Sequence, residues 1–167
     1  METQPDVRRR LLSFAVVGGG YSGVETAGQI LDLFRAIRRY YPGIKSGDVH
    51  VSLIHSRDHL LPTLSRSLGQ YAGDELRSRG LDLRLNQRVR AVTASYVQLE
   101  DGTRIETNTV ISTIGNAPHP LVTRLAEDSG LEMVRGRIRT DATGRPPGAE
   151  RLWAAVDCSS FPMRDGG

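Results

Sequence analysis

Apolar residues change their spacing along the chain, and each change predicts a switch between strand and helix. Phe14–Val17 is a short, wholly apolar run, which is typical of a strand buried on both faces. From Ser22 onward the apolar residues recur every three or four positions, so we predict a helix to about Tyr40, ended by Pro42-Gly43. The run 49–55 predicts a second strand that leads into polar residues.

The rest of the chain continues this alternation and then changes to the period of two that marks antiparallel strands. The predicted elements are a helix over 65–80, a strand over 81–85, a hairpin over 88–107 around Asp101-Gly102, a strand over 109–115, a short helix near 121–127 and a last strand over 151–155. Strands that alternate with helices build a parallel sheet. We therefore predict an α/β fold, a Rossmann-like parallel sheet with an antiparallel β-meander flap.

The same pattern predicts how the chain is divided. Residues 1–13 are interpreted as an N-terminal linker, and 14–150 as one dinucleotide-binding domain. Residues 151–167 contain no further element that could pair with the last strand, so they are interpreted as the start of a return segment. On this interpretation the chain is a part of a larger protein.

Composition excludes several classes of function. The chain has 167 residues, 22 Lys and Arg against 19 Asp and Glu, a net charge of +3 and 5% aromatic residues. Its arginine clusters lack interleaved aromatic side chains, so nucleic-acid binding is not expected. Cys158 is the single cysteine, which favours a reducing compartment, here taken as the cytoplasm. No membrane-spanning run, signal peptide or metal-ligand spacing is present in the sequence.

Three glycines stand between the first strand and the first helix, and they carry the main functional signal. Gly18, Gly20 and Gly23 form Gly-x-Gly-x-x-Gly. The first glycine allows a tight turn, the second lets the backbone approach a pyrophosphate, and the third lets helix and strand pack closely. The motif alone is compatible with NAD, NADP, FAD or S-adenosylmethionine, and a purely structural turn is the alternative without a ligand.

The flanking sequence narrows these options. The stretch VVGGGYSGVETAGQILDL resembles the second nucleotide-binding motif of the pyridine nucleotide–disulfide oxidoreductase superfamily, and is most similar to type II NADH dehydrogenases, the flavin-dependent NADH:quinone oxidoreductases. The stretches HLLPTLSRSLGQYAGDELRSRGLDLRLNQRV and VQLEDGTRIETNTVISTIGNAPHPLV resemble the same family. The resemblance covers about residues 8–160.

The resemblance implies an NAD(P)H-binding domain inserted into an FAD-binding domain, whose own glycine motif would lie upstream of this chain. It implies that Glu25 lies near the nicotinamide and the flavin, as a candidate catalytic residue, and that Asp157 approaches the flavin. The family has glycine where this chain has Val156, so the flavin site is expected to be altered or the stretch to be a chain end. The cofactor-binding residues predicted from motif and resemblance are Gly18, Gly19, Gly20, Tyr21, Ser22, Gly23, Glu25, His55, Ser56, Arg57, Ile114, Gly115, Asn116 and Asp157.

The end of the second strand bears on the choice of cofactor. NAD enzymes usually carry an acid there for the ribose 2′-hydroxyl. This chain has His55, Ser56 and Arg57 instead, and a Ser/Arg pair is suited to a 2′-phosphate. A solvated loop without cofactor preference is the alternative.

The resemblance also implies the partners. They are a dinucleotide, the flavin-binding half of the same enzyme, and a quinone or another electron acceptor at a membrane where the intact enzymes lie peripherally. Two rival functions stay open. One is a degenerate Rossmann module that acts by protein interaction, favoured by the missing acid and by Val156. The other is a methyltransferase or short dehydrogenase, which would need catalytic residues of its own, such as a Tyr-x-x-x-Lys pair.

Overall fold

A parallel sheet of four strands lies at the centre of the first of two units. The structure is a computed structural model that describes residues 4–45 and 47–162. Its two units are Met1–Ile114 and Gly115–Gly167. The sheet has the strand order β3-β2-β1-β7 and consists of β1 (Ser13–Val17), β2 (His50–Ile54), β3 (Asp82–Arg84) and β7 (Thr109–Ser112). All neighbouring strands run parallel.

Two long helices cover one face of this sheet. Helix α2 (Tyr21–Ile37) continues into a 3-10 turn (Arg38–Tyr40) and ends before Pro42. Helix α3 (Arg66–Ser78) begins at Ser65, whose hydroxyl accepts the Leu68 N–H. The buried core on this face combines strand and helix residues, namely Val16, Ala27, Val51, Leu53, Leu60, Leu61, Leu76 and Leu81. Burial of this apolar stripe is what holds the helices to the sheet.

An antiparallel meander covers the other face. Its strands are β4 (Val89–Val92), β5 (Tyr96–Leu99) and β6 (Arg104–Glu106), in the order β4-β5-β6. Val97 and Leu99 of the meander form one buried cluster with Ala15 and Ile54 of the parallel sheet. At the turn, the hydrogen bond from the Thr103 N–H holds the pKa of the Asp101 carboxyl below its ordinary value. The predicted fold, a Rossmann-like parallel sheet with an antiparallel flap, is therefore confirmed.

The second unit is smaller and has little regular structure. It contains helix α4 (Pro120–Asp128), the short strands β8 (Met133–Val134), β9 (Arg137–Arg139) and β10 (Ser159–Ser160), and a 3-10 turn (Val156–Cys158). Its core consists of Ala126, Ile138 and Ala154. The division into units falls after Ile114, whereas the sequence places a domain boundary after 150, and that boundary stays a prediction.

Two local expectations differ from the structure. Within the predicted linker 1–13, residues Pro5–Leu11 form helix α1, and β1 already begins at Ser13. The helix is tied down because the Arg8 guanidinium pairs with Asp48 at 2.8 Å, and this hydrogen bond lowers the pKa of the Asp48 carboxyl. Residues 1–3, at the start of the predicted linker, and 163–167, at the end of the predicted return segment, lie outside the described residues.

The predicted last strand over 151–155 is wrong, since the last strand of the second unit is β10. Residues 151–155 contact a loop instead of pairing with a neighbouring strand. The Ala154 N–H donates to the Gly144 carbonyl at 2.9 Å, and the Arg145 guanidinium lies 4.6 Å from the centre of the Trp153 ring. A cation over an indole face is attractive, so this loop holds the segment in place.

Val156 carries a backbone conformation that suits glycine. Its φ is +56°, which is a strained value for valine. Its side chain is exposed, so few packing contacts compensate for this strain. The left-handed region costs an L-residue about 1–2 kcal/mol, and a β-branched residue lies at the upper end.

We predict that Val156→Gly raises the free energy of unfolding by about 1 kcal/mol, because relief of the strain exceeds the added flexibility of the unfolded chain. Chemical denaturation measures the change. Val134→Gly in β8, which is not among the residues with positive φ, is the control and should lower stability by about 0.5–1 kcal/mol. Equal losses of stability in both variants would contradict the inferred strain at Val156.

Candidate dinucleotide-binding site

The glycine turn joins the carboxyl end of β1 to the first turn of α2. The Gly18 N–H donates to the Ile54 carbonyl at 2.9 Å, and Gly18 itself has φ +114°. The Thr113 hydroxyl lies within hydrogen-bond distance of the carbonyl oxygens of Val17 and Gly18, at 2.9 and 3.0 Å. The turn is therefore fixed to both neighbouring strands of the sheet.

Gly23 brings helix α2 against the end of β1. A Cβ atom at Gly23 would overlap the Gly18 carbonyl oxygen, which belongs to the backbone and cannot move aside. A Cβ at Gly18 would lie 2.7 Å from the Thr113 hydroxyl. Gly18 is required by the positive φ of the tight turn and Gly23 by close packing, which are the roles that the motif assigns to its first and third positions.

Gly20 differs from the other two glycines because open space lies above it. No described atom lies within 4 Å of the position that its Cβ would take. Gly20 is also the N-cap of α2, and no side chain caps the helix. The first bond of the helix runs from the Val24 N–H to the Gly20 carbonyl, so the N–H groups of Tyr21, Ser22 and Gly23 precede the helical ladder.

This arrangement is chemically suited to an anion. Unpaired N–H groups and the positive end of the helix dipole together favour phosphate at a helix N-terminus. Tyr21 and Ser22 are both exposed at this end. The Thr63 hydroxyl lies 3.4 Å from the Tyr21 hydroxyl, which connects α2 to the loop that precedes α3. The missing side chain at Gly20 leaves open space beside these N–H groups.

Gly19 faces the protein instead. Its N–H donates to Nδ1 of His55 at 3.1 Å, and its carbonyl accepts the Leu61 N–H at 2.8 Å. A Cβ at Gly19 would lie 2.6 Å from Cγ of His55 and 2.7 Å from Cδ2 of Leu60. Both Gly19 and His55 are buried. The polar groups of the Gly19 peptide are thus already satisfied within the protein.

Ser56 and Arg57 follow β2 and are exposed. The Arg57 guanidinium has no ion-pair partner among the described residues, whereas the neighbouring Asp58 pairs with Arg66 and His59. The Arg57 carbonyl accepts the Asn86 N–H at 3.0 Å, so its backbone is held while its side chain faces solvent. This strand end therefore presents a free cation and a hydroxyl.

The remaining predicted residues lie elsewhere. Glu25 is exposed on α2, just beyond the first turn of the helix, without an ion pair in the described part of the chain. Ile114 ends the first unit and is 75% exposed. Gly115 and Asn116 open the second unit, in which Asp157 also lies, 3.7 Å from Arg137. The structure thus places Gly18–Gly23 next to His55 in the first unit. Gly115, Asn116 and Asp157 belong to the second unit.

Sequence reasoning missed the residues that shape the turn from outside, namely Leu60, Leu61 and Thr113. Leu61 has φ +51°, which no sequence pattern indicates for a leucine. Thr113 lies in the predicted strand over 109–115. A threonine in a strand does not by itself indicate a contact with the glycine turn.

Neither a metal centre nor a membrane span emerges from the residues described. Over 4–45 and 47–162, no group of three or more His, Cys, Asp or Glu side chains could hold a metal ion. Within the same ranges, no helix is long and apolar enough to cross a membrane.

Comparison with known proteins agrees with the geometry. The model of the pyridine nucleotide-disulphide oxidoreductase family matches residues 2–165. A probable NADH dehydrogenase of Dictyostelium discoideum is 34% identical over 96% of this chain and 36% of its own length. The internal alternative NAD(P)H-ubiquinone oxidoreductase A1 of Arabidopsis thaliana, a mitochondrial protein, is 33% identical over 93% of this chain and 30% of its own length.

Solved structures show the same fold. NDH2 from Plasmodium falciparum, solved in complex with NADH, matches with a TM-score of 0.86 at 19% identity, over 96% of this chain and 34% of that one. An NAD-dependent persulfide reductase from A. fulgidus matches with a TM-score of 0.68 at 24% identity, over 88% of this chain and 25% of that one. The chain spans about a third of the length of the curated relatives named above. With a family model that matches 2–165 and a glycine turn built as that family requires, the chain belongs to the pyridine nucleotide-disulphide oxidoreductase family.

Proposed function

We propose that the chain is the NAD(P)H-binding domain of a flavin-dependent NADH dehydrogenase-like oxidoreductase. The observation that carries this proposal is the start of α2, where uncapped N–H groups lie beside the open space above Gly20. The dinucleotide pyrophosphate would lie there, held by the N–H groups of Tyr21 and Ser22. The residues present fit this group, because the turn leaves room and unpaired donors at the same point.

In this proposal, the chain contributes to the reaction by positioning the dinucleotide. Gly18 and Gly23 fix the end of β1 against α2, so that the phosphates and the nicotinamide half of one ligand take a defined direction. When bound, the nicotinamide would supply a hydride for FAD held by another part of the protein. Ile114, Gly115 and Asn116 are proposed for the nicotinamide half, Glu25 for the region between nicotinamide and flavin, and Asp157 for the flavin.

The electron acceptor and the compartment are part of the proposal. Relatives such as the Arabidopsis protein are mitochondrial NAD(P)H-ubiquinone oxidoreductases, which supports a quinone as acceptor at a membrane surface. The single cysteine favours a reducing compartment, and the cytoplasm is the corresponding proposal for this chain.

A second candidate function is a degenerate Rossmann module that acts by protein interaction. Val156 favours it, because the family has glycine there and this valine lies at φ +56°. The intact glycine turn opposes it, since an unused turn would not need an open Gly20 and a closed Gly23 together. NADH binding separates the two functions.

We predict that Gly20→Val weakens NADH binding at least about a hundredfold, about 2.7 kcal/mol, while the melting temperature changes little. The valine side chain would fill the space for the pyrophosphate, and Gly20 has an extended backbone that valine can adopt. Calorimetric titration measures the binding, and thermal unfolding measures the stability.

Gly23→Ala is the matched control. Its Cβ would overlap the Gly18 carbonyl, so it should lower the melting temperature at least by several degrees. Wild-type affinity in Gly20→Val would contradict the proposed function, and a large loss of stability there would favour a purely structural turn.

The strand end at His55 to Arg57 generates a prediction on cofactor preference. An acid at this position would repel a 2′-phosphate, and this chain presents the unpaired Arg57 and Ser56 instead. A hydrogen bond from a charged group contributes about 1.5–3 kcal/mol, enough for tenfold discrimination. An exposed arginine contributes less because solvent screens it.

We therefore predict that both cofactors bind and that NADPH binds no more weakly than NADH. Calorimetry at low salt compares the two cofactors, and Arg57→Ala should weaken NADPH binding but leave NADH binding unchanged. Arg66→Ala is the control, because that arginine already pairs with Asp58. A tenfold preference for NADH that Arg57→Ala leaves untouched would contradict a phosphate site here.

A further inference from the structure

His55 occupies the position of the usual ribose-binding acid, yet its ring is turned into the protein. The residue is only 9% exposed, although it follows directly after the last residue of β2. Its main chain is fixed on both sides, because its N–H donates to the Arg84 carbonyl at 2.8 Å and its carbonyl accepts the Gln87 N–H at 3.0 Å. From this fixed main chain, the imidazole lies against the glycine turn.

The two nitrogens of the ring have different surroundings. Nδ1 lies 3.1 Å from the Gly19 nitrogen and accepts its N–H, so the proton of the neutral ring is on Nε2. Nε2 is buried without a hydrogen-bond partner in the described residues. The ring thus accepts a hydrogen bond from the turn, while its own N–H makes no hydrogen bond of good geometry within the described residues.

The fit between ring and turn is steric as well as polar. Cγ and Cδ2 of His55 lie 2.6 and 2.8 Å from the position of a Gly19 Cβ, and Leu60 closes the same space from another side at 2.7 Å. The Gly19 carbonyl is held by the Leu61 N–H. One segment, 55–61, therefore contacts Gly19 on both sides, through the N–H and the carbonyl of the residue that precedes Gly20.

We propose that neutral His55 is a positioning residue for the dinucleotide turn, and that its protonation weakens dinucleotide binding. The proposal rests on the proposed function. A protonated imidazole carries N–H groups at both nitrogens, so Nδ1 would then face the Gly19 N–H donor to donor. To relieve this, the Gly19 peptide or the ring must move, and with it the backbone that leads into the uncapped start of α2.

The surroundings of the ring favour its neutral form. Burial lowers the pKa of His55 below its ordinary value, and the charges of Arg57 and His59 on the same loop lower it further, against the opposing effect of the His59 backbone. From the glycine turn, Tyr21 is the first titratable side chain, and from β3 the guanidinium of Arg84 is already paired with Asp82. No carboxylate of the described residues is hydrogen-bonded to the ring.

The direction of the pH dependence follows from this lowered pKa. Folded His55 is neutral above an unfolded value of about 6.5, and there its bond to Gly19 is complete. As the pH falls through that value toward the lower folded pKa, the unfolded chain takes up the proton first, so stability declines. The turn itself is disturbed once the folded ring is protonated.

Binding of NAD+, which is stable in acid, tests the proposal by calorimetry between about pH 8 and pH 5 with three proteins. In the wild type, the Kd should rise as the pH falls through the midpoint at which the His55 ring itself titrates by NMR, with a limiting slope of about tenfold per pH unit. In His55→Asn the amide oxygen can accept the Gly19 N–H but does not titrate, so this rise should be absent. His50→Asn, at the other end of β2, is the control and should keep the wild-type pH profile.

A readout without ligand separates this inference from the proposed function. The Gly19 amide resonance of the wild type should shift with the same midpoint as the His55 ring, and should not do so in His55→Asn. A Gly19 amide that ignores the titration of His55, or an identical pH profile of NAD+ binding in His55→Asn, overturns the inference alone. Absence of NAD+ binding by the wild type at about pH 8 overturns the proposed function and with it the binding half of this inference.

Discussion

The contact between Gly23 and the Gly18 carbonyl is the constraint on which the site depends. A parallel strand can pass into a helix over the same sheet only if the first turn of the helix approaches the strand end closely. Here the approach leaves no room for a single Cβ atom. It places the start of α2 directly behind the carboxyl end of β1, and the Thr113 hydroxyl from the end of β7 secures the same carbonyl.

Three consecutive glycines in this turn meet three different demands. Gly18 satisfies a backbone conformation, Gly19 lies against the ring of His55, and Gly20 leaves space on the solvent side. Side chains of the protein therefore pack against the turn at Gly18 and Gly19, whereas no described side chain lies over Gly20 on the solvent side. A helix N-terminus that no side chain caps has unsatisfied donors, and a phosphate group satisfies them without a change in the fold.

The main helices and strands could be predicted from the sequence because they follow from the spacing of hydrophobic residues. The buried run Phe14–Val17 and the helical spacing after Ser22 appear in the structure as β1 and α2 within a few residues. Helix α1 escaped prediction because it has seven residues and buries none of them, and long-range pairs such as Arg8 with Asp48 hold it. The segment 151–155 has strand-like composition, but a loop and not a neighbouring strand bonds to it.

Part of the geometry of the candidate site could also be predicted, whereas its ligand stays a prediction. The spacing of Gly18, Gly20 and Gly23 predicts their roles, since each role depends on backbone alone. The inward direction of His55 was not predictable, because it depends on Leu60 and on the positive φ of Leu61. The strained Val156 was visible only as a departure from the family pattern, and its φ of +56° gives that departure a physical meaning.

Titration of the 15N-labelled chain with NADH, followed by amide chemical shifts, tests the central claim most directly. The account predicts that the amides of Gly20, Tyr21 and Ser22 shift most within the first unit, because their N–H groups are the free donors beside the open space. The Gly19 amide should shift less, since His55 already accepts its N–H. Saturable shifts that leave Gly20, Tyr21 and Ser22 unchanged, or no shifts at all, would contradict the assignment of this turn as the dinucleotide site.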